Sequence, residues 1–158
     1  MSRPQFYEMH NGEKAPLQFP VAEYDARLKG LREIMNANGV DVAVLTSMHN
    51  IAYYSGFLYC SFGRTYGLVV TADRSVVISA GIDAGQPWRR CAHEAITYTD
   101  WERNNYWRTI KHITGTGRVV GFEGDHMTMT QRERMQEFLA PSSAVDIAPA
   151  TMTQRLYK

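Results

Sequence analysis

The groups in this chain with intrinsic reactivity are five histidines, sixteen carboxylates and two cysteines, and their spacing decides what chemistry they can do. His10, His49, His93, His112 and His126 show no H-x-x-x-H or comparable metal-ligand spacing. Glu123-Gly124-Asp125-His126 places two carboxylates and an imidazole within four residues. It directly follows a strand pattern, however, where a polar turn and the start of a helix use the same residue types. We read it as that turn in preference to a metal site. Gly115-Thr116-Gly117 precedes a strand, whereas a dinucleotide loop follows one. No G-x-S-x-G elbow occurs, and the local sequence gives no pairing of Cys60 or Cys91 with a histidine that would make a thiolate nucleophile. The sequence therefore carries no self-sufficient catalytic set, and neither a metal nor a cofactor is expected.

The run from Tyr53 to Gly67 holds a different chemistry. It crowds aromatics and Arg64 around Gly56, Gly63 and Gly67. Gly63 permits a bend from which Phe62 and Arg64 emerge. An arginine can hold a carboxylate through two parallel hydrogen bonds, and an adjacent aromatic ring can exclude water from the pair. Two readings are open. Phe62 and Arg64 grip a ligand's carboxylate, or the run is an aromatic loop packed on its own domain with Arg64 in a surface ion pair. On the residues alone the second weighs more. The stretch Ile82 to Arg90 leaves the same choice: a structural loop whose Trp88 buries against a helix, or an interface, where Trp and Arg are enriched.

The elements that must position these residues follow from periodicity. Residues 1–20, with Pro4, Gly12, Pro16 and Pro20, read as an irregular N-terminal arm, and residues 21–158 as one α/β domain. Val21, Tyr24, Leu28, Leu31 and Met35 form a helical stripe stopped at Gly39. Residues 40–45 read as a buried strand and 50–55 as a short helix ended by Gly56. Residues 66–71 and 75–79 form a hairpin turning at Ala72-Asp73-Arg74. Strands at 95–99, 119–122 and 144–147 alternate with helices, one on the stripe Tyr106, Ile110, Ile113 and one opened by a Thr128/Gln131 capping box. This order predicts a three-layer α/β domain, a mixed sheet flanked by helices. The tail, lacking a terminating Gly or Pro, is expected to be cut within or before a linker helix.

Composition narrows the partners. A net charge of +1 gives no electrostatic pull toward nucleic acid or an anionic membrane, and no apolar run approaches a membrane span. Two cysteines make no disulfide framework; Cys60 and Cys91 are expected as reduced thiols in a cytoplasmic protein.

Several unusual words in the same order resemble one family. His10-Asn11-Gly12-Glu13-Lys14, Tyr53-Tyr54-Ser55-Gly56, Phe62-Gly63-Arg64, Ile78-Ser79-Ala80-Gly81-Ile82-Asp83, Gly85-Gln86-Pro87-Trp88-Arg89-Arg90 and Ile96-Thr97-Tyr98-Thr99-Asp100-Trp101 resemble the N-terminal domain of the creatinases, the creatine amidinohydrolases of the creatinase/prolidase superfamily. The resemblance implies a homodimeric, metal-free enzyme that hydrolyses creatine to sarcosine and urea. Its catalytic histidine and glutamates would lie in a C-terminal pita-bread domain that this chain does not include, so the chain alone is expected to be inactive. It also implies that Phe62 and Arg64 hold the carboxylate of creatine, or of a similar small guanidino acid, in the partner subunit's active site. Both side chains are then expected near the surface, Arg64 without a buried carboxylate partner of its own chain. The alternatives are the matching domain of a prolidase or aminopeptidase-P-like metallopeptidase, and a stand-alone binding module.

Overall fold

In a computed structural model of the chain, the described residues are 2–59, 63–83 and 85–157. They form a seven-stranded mixed sheet, β1 (Phe6–Tyr7), β2 (Val42–Leu45), β3 (Gly67–Val70), β4 (Ser75–Ala80), β5 (Glu94–Tyr98), β6 (Val119–Phe122) and β7 (Ser143–Asp146), in the order β1-β5-β4-β3-β2-β6-β7. The helices are α1 (Val21–Ala37), α2 (Met48–Ser55), α3 (Gln86–Arg90), α4 (Asn105–Thr114), α5 (Met129–Leu139) and α6 (Ala148–Leu156), with a 3-10 turn at Gly81–Asp83. Strand β2 runs parallel to β6, β6 to β7, and β4 to β5, while β3 is antiparallel to both neighbours.

Side-chain alternation on the strands sorts the core into two layers. Leu68 and Val70 pack with Leu28, Leu31 and Met35 of α1 and Ile51 and Tyr54 of α2 on one face. Val69, Val44 and Ile78 pack with Tyr106 and Ile110 of α4 and Met135 and Leu139 of α5 on the other. The domain is thus the three-layer α/β arrangement expected. No helix among the described residues is long and apolar enough to cross a membrane.

The helix ends match their sequence signals, with Gly39, Gly56 and Gly115 all at positive φ. Thr128 accepts from the Gln131 amide while the Gln131 side chain accepts from the Thr128 amide, the reciprocal capping box. Two features depart from expectation. The arm is not wholly irregular, since Phe6–Tyr7 pair antiparallel with Tyr98 and Thr97 at the sheet edge. Residues 86–90 form a short helix instead of a loop, with Pro87 in its first turn. The tail forms α6.

Trp88 is half-buried and makes contacts within its own chain. His10 stacks on it at 4.1 Å, Lys14 Nζ sits 3.7 Å from its ring centroid, and its Nε1 donates to the Gly12 carbonyl. Trp88 is the clamp that holds the arm to α3, an intramolecular contact.

Removing the α5 cap by Thr128→Ala is expected to cost about 1 kcal/mol, a Tm fall of roughly 2–4 °C in a chain of this size. Thermal unfolding by circular dichroism checks it, with Gln131→Ala expected to cost less.

Candidate functional site

The C-terminal ends of β2, β4, β5 and β6 and the N-terminal end of β3 all lie on one edge of the sheet, as the register requires. Ligands in α/β folds commonly bind outside the carboxyl ends of parallel strands. Arg64, the described one of the two substrate-binding residues expected from the sequence, lies just before the N-terminal end of β3 at this edge.

Glu123, at the end of β6, is 1% exposed. Its Oε2 accepts from the backbone amides of Thr46 (2.5 Å) and Ser47 (2.8 Å). Its Oε1 accepts from the Ser47 hydroxyl and from Asn50 Nδ2 (2.6 Å). Four donors use the acceptor capacity of a carboxylate, so Glu123 has no lone pair to offer a metal or a substrate proton. The anion sits at the N-terminus of α2, where unpaired amides and the helix dipole favour negative charge. His126 turns back to Thr46, its Nδ1 2.9 Å from Oγ1. Glu123 and His126 thus bond to the β2–α2 turn, and no group of three or more metal-ligating side chains occurs among the described residues.

Helix α2 leads to the aromatic run. Phe57 and Tyr59 stack at 5.8 Å, and Tyr66 meets Tyr59 edge-on at 5.0 Å while donating to its carbonyl at 2.7 Å. Tyr98 of β5 donates to the Thr65 carbonyl at 2.6 Å. Gly63 has φ +85°, a conformation costly for a residue with a Cβ although no atom stands within 4 Å to obstruct one. These contacts fix the backbone on the C-terminal side of Arg64. Phe62 and Cys60 lie outside the described residues.

Arg64 emerges 45% exposed between two depressions. One is an open groove of about 380 Å³ that Arg64 lines with Thr46, Met48, Tyr66 and His126. The other is a cleft of about 60 Å³ that it shares with Tyr98, Asp100 and Arg103. Arg64 does have a carboxylate partner in its own chain, though not the buried one that was expected to be lacking: its Nε lies 3.6 Å from Oδ1 of Asp100, whose side chain is 25% exposed. The run is thus both packed on its own domain and ion-paired. An exposed-to-half-exposed pair of this length is worth at most about 1 kcal/mol, so a ligand's carboxylate can still compete for the guanidinium.

A second carboxylate, Asp83, stands at the end of β4. Burial raises its pKa above the ordinary aspartate value and the charge on Asp100 adds to this, while a hydrogen bond from Tyr59 opposes both. Burial likewise raises the Tyr98 hydroxyl and the buried Cys91 thiol, the latter against the opposing charge of Lys14. Asp83 and Asp100 did not stand out in the sequence because it is the parallel β4–β5 pairing that brings the ends of these strands together, and of the two it is Asp100 that lies beside Arg64. At the opposite sheet edge a cavity of about 510 Å³ is lined by Arg32, Arg74 and Arg118. Arg74 there pairs with Glu94, and Arg32 donates to the Thr71 and Arg74 carbonyls.

Fold and sequence agree on a class. The profile of the Creatinase/Prolidase N-terminal domain matches residues 27–157, and the chain belongs to that family. It is 44% identical to a creatinase from Bacillus sp. (strain B-0618), a match covering 94% of this chain and 37% of that protein's length. The fold is shared with a proline dipeptidase from Streptococcus pneumoniae, at TM-score 0.74 and 22% identity over 83% of this chain and 98% of that one. It is shared also with a prolidase from Pyrococcus horikoshii, at TM-score 0.68 and 13% identity over 84% and 35% of the two chains.

Two predictions follow from the buried groups. Glu123→Gln keeps the shape but turns an amide NH₂ toward donors, and is expected to lower stability by about 2–4 kcal/mol in thermal or denaturant unfolding; an unchanged Tm contradicts the account. Asp83→Asn should do the reverse at neutral pH. A raised native pKa means that the folded chain binds more protons, so stability falls as pH rises from the ordinary aspartate range through the raised value. The variant should therefore unfold at a higher temperature than wild type at pH 7, and the gap should close below the ordinary aspartate pKa.

Proposed function

We propose that this chain is the N-terminal domain of a creatinase-like amidinohydrolase and that it grips the substrate's carboxylate instead of performing the hydrolysis. The reaction adds water across the C–N bond of creatine, giving sarcosine and urea. The acid/base groups for that step belong to a second domain, and the chain spans only 37% of the creatinase that it resembles. In this reading the protein is a metal-free cytoplasmic homodimer, and each N-terminal domain reaches the partner subunit's active site. Phe62 and Arg64 supply the contact there.

The observation that carries the reading is Arg64 itself. It is a half-exposed guanidinium at the carboxyl edge of the sheet, lining an open groove, on a backbone held by aromatic packing. A carboxylate held by such a group fixes one end of a small linear substrate, and misplacement by about an ångström costs orders of magnitude in rate. The identity to a creatinase favours a guanidino acid over a dipeptide; the dipeptidase likenesses, at 22% identity or less, speak to fold alone.

In the full-length enzyme, Arg64→Ala is expected to lower kcat/KM for creatine roughly ten- to several-hundred-fold, the loss of a charge-assisted contact of about 1.5–3 kcal/mol or somewhat more. Phe62→Ala should cost less, because the charge pair remains. Steady-state urea release, with thermal unfolding as the folding control, checks both. Wild-type kinetics for Arg64→Ala, or a loss accounted for by unfolding, overturns the proposal.

A further inference from the structure

We infer that Asp100 is a positioning residue for Arg64: it holds the guanidinium at the mouth of the groove so that a ligand's carboxylate meets an arginine already oriented. This rests on the carboxylate-gripping role of Arg64 proposed above.

Asp100 is itself firmly held. On one side of it, the Thr99 amide donates to the Gln5 carbonyl at 2.9 Å, and Asn105 of α4 donates to the Thr99 carbonyl and hydroxyl. On the other, Trp101 Nε1 donates to the Pro4 carbonyl at 3.0 Å. The carboxylate then divides its oxygens. Oδ2 accepts from the Ile82 amide at 2.9 Å, an approach that the glycine at 81 permits, since a Cβ there would lie 3.2 Å from Oδ2 and 3.3 Å from the Tyr98 carbonyl. Oδ1 is buried and makes no hydrogen bond, and Arg64 Nε stands 3.6 Å from it.

That division defines the role. A buried carboxylate oxygen without a hydrogen-bond donor is costly unless a cation compensates it, so Oδ1 draws Arg64 to one side of the cleft. At 3.6 Å the contact lies beyond hydrogen-bond length. It orients the guanidinium, and 45% of the Arg64 side chain remains exposed. Arg103 lines the same cleft, so the negative charge of Asp100 does not leave the site repulsive to an anion.

The test is a double-mutant cycle in the full-length enzyme with creatine as substrate. Asp100→Asn keeps the size and the acceptor for the Ile82 amide but removes the charge. It is expected to raise KM about five- to twentyfold with kcat little changed, and to have under about twofold effect once Arg64 is alanine. An unchanged KM overturns the inference. So does a lowered KM, which would make Asp100 a mere competitor for Arg64, and so does an equal penalty in both backgrounds, which would mean that it acts through the fold. If Arg64→Ala raises KM while Asp100→Asn does not, this inference alone falls; if Arg64→Ala is itself silent, the gripping role falls with it. Should Asp100→Asn fail to fold, Asp100→Glu enters the same cycle. It keeps the charge but displaces it by one methylene, and a KM equal to wild type would again overturn the assignment.

Discussion

A single buried carboxylate fixes the geometry on which this domain depends. Taking the Glu123 anion out of water costs several kcal/mol, and the fold offsets that cost only by bringing four donors from residues 46–50 to its two oxygens. The end of β6 is thereby locked to the exit of β2 and to the first turn of α2. Asn50 extends the lock to Thr151 of α6 through its Nδ2, and Tyr54 adds a bond to Gln154, whose own amide reaches the Arg27 carbonyl in α1. Three helices on one face of the sheet are tied through one charge.

The consequence is felt at the end of α2. A helix anchored at its N-terminus delivers the following aromatics to a defined place, and Phe57, Tyr59 and Tyr66 then pack into one another and not into solvent. Arg64 is left 45% exposed beside Asp100 while the rings take the interior. Held backbone, exposed charge and adjacent groove are the ingredients of a preorganised anion grip, which gains affinity by having little to order on binding.

What could be read from the sequence was whatever is local. The stripe of α1 and the Thr128/Gln131 box depend on residues three or four apart, and both stand as read, except that Val21 at the head of the stripe is exposed. Features made by distant pairing were not legible. Strand β1 is two residues long and exists only because β5 offers an edge; α3 is too short to show a period. At the site, Arg64 stood out because glycine and aromatics crowd around it, and the resemblance to a family gave it a role. Its partner Asp100 looked like any loop aspartate, because only the folded sheet brings the residues beyond β5 to those before β3. Glu123 was read as part of a polar turn, but spacing within a tetrapeptide cannot reveal the donors that reach it from Thr46, Ser47 and Asn50.

The account treats the domain as a rigid device that presents Arg64 to a substrate bound elsewhere. The structure of the full-length enzyme with creatine bound tests that most directly. The account predicts both Arg64 terminal nitrogens within hydrogen-bond distance of the carboxylate of a creatine seated in the other subunit, with the Asp100 contact retained and Glu123 still holding its four donors. A creatine carboxylate bound without Arg64, or an Arg64 that reaches it only after the aromatic run has repacked, would contradict it.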